Sequence, residues 1–514
     1  MTERNRILLN TAATYGRSLL ALFLGLFSAR WILLGLGQSD FGLYGVVGSI
    51  IAFITFLNTT LSGSMSRFFA YAIGEGEKMS IVDSTENLCR WFNLALMIHV
   101  LLPIVLVAVG YPLGMYAIRN WLVIPPDRMA ACIAVFDAAI ISAFFGMVSV
   151  PFVALFQAHQ LIFELSFLGV ISSLINFAIA YSLLGAGGDR LAYYARCLMY
   201  VNVLHAVVQI VWARLRFGAC RIRMQYLFDR ERFCDFFTFA GSKLFGAVCV
   251  IFRTQGGVLL LNSFFTPQVN AAYTVSVQVS AHTSSLSQAL IGALQPAVAT
   301  REGAANREGM LRMAQISCRI ATYLVIVFVI PLLVEIDWVL KAWLKNPPPY
   351  ASSFCACMLV MLIIDKMSVG YMLAANAYGK KMMVYELVNG TLLLLALPLS
   401  YLCFRHGLEP YWLSLCLCIS MALYACARIG FCKWQLGVSI LGWLRGIVCP
   451  VVMIAFVSAL VGWCASLCMP YSFCRVVLVS LLCGVTTLLL GARFLLTRDE
   501  RRQVVDKFRR MFRI

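Results

Sequence analysis

Five basic residues fall inside long apolar stretches of the chain, where charged side chains are rare: Arg17, Arg30, Lys243, Arg253 and Lys366. A guanidinium in hydrocarbon costs from about 2.5 to more than 10 kcal/mol, depending on how far it can reach polar surroundings. Such residues therefore usually face a wet cavity or a ligand. We predict that these five side chains line a cationic cavity that binds the anionic part of a substrate.

The alternatives to a cavity role differ among these residues. Arg253 lies near the middle of its stretch, far from either membrane surface, and the alternative for it is a buried ion pair with another helix. Arg30 lies near the outer end of its stretch, where its side chain could equally reach the membrane surface. Arg17 and Arg30 are about 20 Å apart along a helix, so we expect them to serve successive positions of a moving anion.

Acidic residues in the same stretches are candidates for coupling to H⁺ or Na⁺: Asp137, Asp365 and Glu386. A carboxylate neutralised by burial or by an intramembrane arginine would give the same sequence pattern. Asp365 and Lys366 are adjacent and therefore about 100° apart on a helix, so we expect each to have a partner other than its neighbour. An ion pair with another span and a polar cavity wall are both open for them.

The sequence contains no pattern typical of a catalytic, nucleotide or metal site. It has no Gly-rich phosphate loop and no nucleophile elbow. Most of its 19 cysteines lie in apolar runs, where cysteine packs as a small hydrophobe, and pairs such as Cys355 and Cys357 lack the spacing of a zinc site. We predict no enzyme, cofactor or metal, and a transport energy supplied by ion gradients or by the substrate's own gradient.

Composition indicates what kind of element positions these charges. The 514 residues are 61% hydrophobic and only 12% charged, whereas a soluble protein is about 45–50% apolar and about 25% charged. The fold class is therefore an all-α polytopic membrane protein. The net charge of +18 is interpreted as membrane topology and not as nucleic acid binding, because Lys and Arg mark cytoplasmic loops.

Hydrophobic runs of about 20 residues predict about 14 transmembrane helices, arranged as two pseudo-symmetric six-helix lobes followed by two C-terminal helices. The predicted spans are 11–32, 42–64, 92–113, 130–156, 161–184 and 191–213, then 236–264, 271–298, 316–336, 352–375, 384–404 and 412–427, and finally 447–468 and 476–496.

Loops that would face the cytoplasm, if the N-terminus does, are rich in Lys and Arg along the whole chain, so both termini are predicted to be cytoplasmic. We divide the chain into an N-lobe (1–216), a basic cytoplasmic loop (217–235), a C-lobe (236–430), the last two spans (431–497) and a basic amphipathic tail (498–514). Arg428 is assigned to a cytoplasmic loop in this scheme. The tail is expected to lie on the lipids of the inner leaflet, although a solvated tail is the alternative.

Three segments near the start of the chain carry a resemblance to a known family. They contain Arg6, Tyr15 and Arg17, then SAR at 28–30 with FGLY at 41–44, and LSGSMSRF at 61–68. These segments resemble the polysaccharide-biosynthesis flippases, which handle O-antigen and other lipid-linked oligosaccharides, of the multidrug/oligosaccharidyl-lipid/polysaccharide (MOP) exporter superfamily. The plan of twelve spans plus two is similar to that superfamily over the whole chain.

The resemblance implies a MATE-like fold in which two lobes surround a central cavity that opens alternately to the two sides of the bacterial inner membrane. It also implies an isoprenoid-pyrophosphate substrate, an oligosaccharide joined to undecaprenol. Cavity arginines in such proteins bind the anionic part of this substrate. The choice of the five basic residues named above rests on their position and charge.

Three alternatives remain. A lipid II flippase of the same fold would also bind an anionic isoprenoid pyrophosphate. A cation-coupled multidrug exporter would need carboxylates to recognise cationic drugs, and the first span offers only arginines. A membrane glycosyltransferase, polymerase or ligase would generally carry catalytic residues on a sizeable external loop, whereas the external loops here are short and poor in carboxylates and histidines.

Overall fold

The computed structural model describes the backbone of residues 3–76, 81–159, 161–303 and 306–495. Side chains at some helical positions, including those before residue 20 and at 238–244, lie outside the described set. The described residues form helices and no β-strand, which confirms the all-α fold class. The predicted basic tail at 498–514 lies outside the described residues.

The chain folds into two units, Met1–Ala271 and Ala272–Ile514. The first unit contains six long helices: α1 (Glu3–Gly76), α2 (Ile81–Asn120), α3 (Met129–Ala158), α4 (Ile162–Ser182), α5 (Arg190–Arg216) and α6 (Arg230–Phe264). Short 3₁₀ turns at Pro126–Arg128 and Met224–Tyr226 precede α3 and α6.

The second unit contains the remaining helices: α7 (Pro267–Gly303, which begins in the first unit), α8 (Arg307–Val334), α9 (Ile336–Leu344), α10 (Ala351–Lys366), α11 (Val369–Tyr378), α12 (Met382–Leu394), α13 (Ala396–Arg405), α14 (Trp412–Leu436), α15 (Ile440–Trp443), α16 (Cys449–Leu467) and α17 (Phe473–Phe494). A π-helical turn, Leu444–Val448, joins α15 to α16.

Helix α1 contains the first two predicted spans and is broken between them. Gly37 has φ 79° and ψ 168°, so two helices meet at this residue. An L-residue side chain makes this backbone region strongly unfavourable, which explains why glycine occupies the break. The predicted boundary between the two spans therefore coincides with a real interruption of the helix.

Each of the fourteen predicted spans lies mostly on helical backbone within the described residues. Within the described residues, ten helices, or eleven if the bent pair α10 and α11 is one span, are long and apolar enough to cross a membrane. Helices α1 and α7 also cover predicted spans but are not among those eleven. The tenth predicted span is the bent pair, whose halves meet at 45°.

The first unit encloses two hydrophobic clusters. One contains the rings of Phe69, Phe92, Phe152, Phe156 and Phe236. The other, which includes Leu43, Val47, Ile118, Phe136 and Leu191, joins α1, α2, α3 and α5. Lipid is as apolar as these side chains, so the clusters hold the helices together by close van der Waals packing. They fix the relative positions of the helices that carry Arg30 and Arg253.

The basic segment 217–235 is held against α2 by hydrogen bonds. Asn93 donates from Nδ2 to the carbonyl of Arg221 at 2.9 Å and accepts from the backbone N–H of Arg223 at 2.8 Å. The hydroxyl of Tyr226 donates to Glu86 at 2.7 Å. Within the first unit this segment is therefore an anchored connection, and α6, which follows it, packs on α1. A lobe boundary at 217–235 stays a prediction.

Candidate functional site

The structure locates three of the five basic residues predicted to line a cavity. The side chains of Arg17 and Lys243 lie outside the described residues. Arg30 is partly buried on α1, next to Trp31, whose ring packs on Phe177 of α4 with centroids 4.7 Å apart. Arg253 is partly buried on α6 and its Nε is sheltered from solvent. A cavity role for these residues stays a prediction.

Lys366 is the last residue of α10, in the second unit, and is buried with 2% exposure. Its Nζ donates to Asp365 Oδ2 at 2.9 Å. The expectation that these two neighbours do not pair is wrong, but the expected further partner is present for Asp365, which forms an ion pair with Arg428 on another helix. The 100° rule concerns the directions of Cβ atoms, whereas a lysine stem of four methylene groups can curl back toward the preceding residue where the helix ends.

Arg428 of α14 completes this ion cluster and is not among the residues predicted from the sequence. Its Nη1 donates to Asp365 Oδ1 at 2.9 Å and to Ser368 Oγ at 3.0 Å. Its Nη2 donates to the hydroxyl of Tyr424 at 2.9 Å, and the guanidinium lies 4.0 Å from the centre of that ring. The assignment of Arg428 to a cytoplasmic loop is wrong, because α14 continues to Leu436 and buries it.

A signal for Arg428 is present in the sequence. Tyr424 and Arg428 are four residues apart, which places them on one helical face, and the predicted span 412–427 ends one residue before the arginine. Extending that span by one turn would make Arg428 a candidate intramembrane charge.

The cluster lies at the break between α10 and α11. A helix end leaves backbone carbonyls without helical partners, and burial of such groups requires other donors. Trp443 supplies one, since its Nε1 donates to the carbonyl of Met367 at 2.9 Å. Arg428 binds Asp365 before the break and Ser368 after it. The break is thus held by side chains from α14 and α15.

The ion cluster carries more positive than negative charge. One carboxylate, Asp365, pairs with two cations, Lys366 and Arg428, whose side chains are 2% and 4% exposed. Charges taken out of water cost several kcal/mol each unless they are matched. With one carboxylate and two cations, the hydrogen-bonded cluster has a net charge of +1 at the helix break. This charge attracts an approaching anion and repels a further cation.

The other two predicted coupling carboxylates lie elsewhere. Asp137 of α3 accepts a hydrogen bond from the hydroxyl of Tyr111 at 3.0 Å and so faces α2. Glu386 is partly buried on α12, which packs on α14. A coupling role for Asp137, Asp365 or Glu386 stays a prediction.

The first unit contains a cavity of about 430 Å³ between α1, α3 and α5. Its polar lining groups are Tyr44, Thr55, Ser142 and Asn202, and the rest of the lining is apolar. Among the described residues that line it there is no Asp, Glu, Lys or Arg. Asp137 precedes two lining residues, Ala138 and Ala139, without joining them, which agrees with its contact to α2.

A second ion cluster ties the break in α1 to the loop before α5. Arg128 donates from Nε to Asp40 at 2.8 Å and from Nη1 to Asp189 at 3.1 Å. Arg190 donates to the carbonyl of Gly35 at 3.1 Å, beside the break at Gly37. Burial raises the pKa of Asp189, but bonds from the Ala192 N–H and from Arg128 outweigh it and leave the pKa below its usual value.

Known proteins resemble this chain in structure. No protein-family model and no curated protein sequence matches the chain. The lipid II flippase MurJ, in an inward closed conformation, superimposes with a TM-score of 0.67 at 12% identity and covers 95% of this chain and 98% of its own.

Transporters of the MATE family are also similar. A multidrug resistance MATE transporter of the MOP superfamily, in an inward-facing conformation, has a TM-score of 0.66 at 12% identity over 81% of this chain and 94% of its own. A MOP superfamily transporter from Pyrococcus furiosus, described as having a binding pocket of reverse polarity, has a TM-score of 0.57 at 12% identity over 85% and 99%. The chain therefore has the MATE-like fold that these transporters share.

Proposed function

We propose that this protein is a flippase that moves isoprenoid-pyrophosphate-linked oligosaccharides across the bacterial inner membrane by alternating access. The observation that carries the proposal is the buried cluster of Lys366, Asp365 and Arg428, with its net positive charge at a broken helix. In transporters, broken helices commonly form the sites for charged substrate groups. A pyrophosphate is the kind of ligand that an excess of buried positive charge favours.

Arginine suits this ligand because its guanidinium keeps its charge when buried and can attract a phosphate at short range. Arg428 has Asp365 and Ser368 as partners on one Nη and Tyr424 on the other, so its geometry is fixed before any ligand arrives. In this proposal Arg428 and Lys366 supply positive charge to the pyrophosphate, and Arg17, Arg30, Lys243 and Arg253 contribute further charge along the path.

The neutral cavity of the first unit suits the saccharide part. Hydroxyl and amide groups both donate and accept hydrogen bonds, as the hydroxyls of sugars do. Tyr44, Thr55, Ser142 and Asn202 present such groups within about 430 Å³. In this proposal, the charged groups of the second unit bind the pyrophosphate, and the neutral polar groups of the first unit bind the sugars.

A lipid II flippase is the second candidate. The MurJ structure covers 95% of this chain, compared with 81% and 85% for the two transporters of the MOP superfamily described above, and lipid II is in MurJ's own name. Both candidates would bind an anionic isoprenoid pyrophosphate. Depletion of the protein separates them, because loss of a lipid II flippase kills the cell and loss of a surface-polysaccharide flippase removes only the surface polymer.

A cation-coupled drug exporter is disfavoured by charge. The described lining of the first-unit cavity lacks carboxylates, and Asp365 is already matched by two cations. An enzyme is disfavoured because the structural neighbours are transporters and flippases. Incorporation of labelled sugar by the purified protein alone would overturn the choice of a transporter.

The proposed orientation has both termini in the cytoplasm and H⁺ or Na⁺ as the coupling ion, with Asp137 or Glu386 as the residue that takes it up. Chemical labelling of single cysteines placed at residues 3 and 500 of a variant without the native cysteines, from each side of the membrane, tests the orientation. Labelling of both from the cytoplasmic side is the expected result.

The function itself is tested in proteoliposomes. A fluorescent undecaprenyl-pyrophosphate saccharide is incorporated into the bilayer, and the fraction that a membrane-impermeant quencher reaches is followed with time. We expect the protein to accelerate equilibration between leaflets of this lipid and not that of a neutral isoprenoid alcohol. Equal acceleration of both lipids, or transport of a cationic dye alone, would overturn the proposal.

A further inference from the structure

A second cavity lies wholly within the second unit and is distinct from the ion cluster at the helix break. It measures about 650 Å³ and is bounded by α8, by Tyr371 of α11 and by the segment that joins α14 to α16. Its charged lining residues are Arg312, Arg319 and Glu308. The side chains around this cavity therefore also carry a net positive charge.

The basic groups come from one face of α8. Arg312, Gln315 and Arg319 follow the i, i+3, i+7 spacing that places side chains in one row, and the two arginines are about 10 Å apart along the helix. Arg319 reaches across the cavity, because a methyl group placed on Gly446 would lie 3.7 Å from its Nη2. Its guanidinium thus lies beside the π-helical turn Leu444–Val448.

The opposite wall is formed by Gly437, Ser439 and Gly442 together with the apolar side chains of Val438 and Ile447. Gly437 ends α14 with φ 73°, and the Oγ of Ser439 accepts from the backbone N–H of Gly442 at 3.1 Å. Trp443 holds this wall in place through its bond to Met367. The wall leaves room beside the arginines and keeps bulky side chains out of it, while π-helical turns occur frequently at functional sites.

An exposed apolar strip borders the cavity. Ile440, Leu441 and Leu444 are all exposed, although they stand on the same short segment as the cavity-lining Ser439 and Gly442. In a membrane protein such a strip contacts acyl chains. The segment therefore has a basic pocket on one side and a lipid-facing surface on the other. An amphiphile with an anionic head group could place its head in the pocket and its apolar chains on the surface.

We propose that this cavity binds the phosphate head group of an anionic phospholipid, with its acyl chains along Ile440, Leu441 and Leu444. Arginine pairs bind phosphate oxygens strongly, and basic pockets between membrane helices are typical head-group sites on the cytoplasmic side. The predicted topology places this end of α8 there. The site goes beyond the proposed substrate site, since it lies on other residues of the second unit.

The test measures binding of phosphatidylglycerol to the full-length protein in neutral detergent by native mass spectrometry. Arg312→Gln with Arg319→Gln should weaken this binding by at least about tenfold, because it removes both basic groups that attract the phosphate. Leu441→Gln should weaken it by a smaller factor. Phosphatidylethanolamine, whose head group is zwitterionic, should bind weakly to all forms.

Lys433→Gln is the matched control, because Lys433 is an exposed basic residue near the same end of α14 and does not line the cavity. It should bind phosphatidylglycerol as the wild type does. Equal phosphatidylglycerol binding by the double variant and the wild type would overturn the proposal. So would displacement of the lipid by equimolar inorganic phosphate, which would identify a free anion as the ligand, or by undecaprenyl pyrophosphate, which would make the cavity a substrate site.

The outcome is separable from that of the proposed function. The double variant keeps Lys366, Asp365 and Arg428, so its flipping of the pyrophosphate lipid in vesicles of phosphatidylcholine should stay within about twofold of the wild type. A loss of flipping with unchanged lipid binding would count against the head-group site and in favour of a substrate role for these arginines.

Discussion

A broken helix occurs in each unit, and the two breaks differ in the charge that surrounds them. In the first unit α1 breaks at Gly37, and the nearby cluster of Arg128, Asp40 and Asp189 holds two carboxylates for one arginine, with Arg190 close by. In the second unit the break between α10 and α11 is held by two cations for one carboxylate. A glycine occupies the first break, whereas a buried ion cluster lies at the second.

Under the proposed function, this difference makes the second break the better candidate for an anion site. Around Gly37 the charges of Arg128 and Arg190 are balanced by Asp40 and Asp189, so nothing in this described cluster favours an anion over a cation. At the second break the positive charge exceeds the negative, and both cations are almost fully buried. At each break, an arginine from another segment binds residues next to the helix interruption. The two breaks differ in the balance of charge around that arginine.

Removing the arginine from each cluster should give the largest losses of stability, and the losses should differ between the two clusters. Arg428→Ala leaves Asp365, Ser368 and Tyr424 without their shared donor inside the second unit, and breaking a buried pair costs about 3–5 kcal/mol. Arg128→Ala removes a side chain that is 23% exposed, so water can take its place and the cost falls to about 1–2 kcal/mol.

Unfolding of the purified variants in detergent, followed by circular dichroism against denaturant, measures both costs. Arg405→Gln serves as the control, since Arg405 is exposed at the end of α13 and should change the stability little. Equal losses for Arg428→Ala and Arg128→Ala would contradict the distinction between the two clusters.

Gly37→Ala tests whether the first break depends on backbone conformation alone. A Cβ at Gly37 meets no atom within 4 Å, so the expected cost of about 1–3 kcal/mol would come from φ 79° and ψ 168°. Gly48→Ala is the matched control on the same helix, because a Cβ there is also unobstructed and its backbone is helical. The control should be stabilised by up to about 1 kcal/mol. A neutral Gly37→Ala would refute the glycine's role.

Substitution of Asp189 should give the smallest effect on stability. The effect should appear as a change in how the unfolding free energy depends on pH. Its pKa is lower in the folded protein than in the unfolded chain, so its contribution to stability is complete above the unfolded pKa and is lost as the pH falls through the folded pKa. Asp189→Asn should therefore flatten the fall in unfolding free energy below about pH 4. It should cost less than about 1 kcal/mol at neutral pH, because asparagine also caps a helix. An unchanged pH profile would contradict this assignment.

The helical layout could be predicted from the sequence because hydrophobic runs of membrane length are a strong local signal. Gly37 falls between two predicted spans and is the break in α1. Partners across the fold could not be predicted. Arg428 is 63 residues from Asp365, and Asn93 is 128 residues from Arg221, and no local pattern encodes either contact. The pairing of Lys366 with Asp365 escaped prediction because a rule for Cβ directions does not hold for a long, flexible side chain.

The flipping rate of Lys366→Met in proteoliposomes is the sharpest test of whether excess positive charge at the second break drives transport. This variant keeps the Asp365–Arg428 ion pair and an unbranched side chain one atom shorter, but it reduces the cluster's net charge from +1 to zero. We expect flipping of undecaprenyl-pyrophosphate saccharide to fall at least about tenfold, as expected when about 1.4 kcal/mol of binding is lost. Lys366→Arg should retain most of the rate, and both variants should remain folded in the assay, because each keeps the Asp365–Arg428 pair. A wild-type rate in Lys366→Met would contradict a role for this charge.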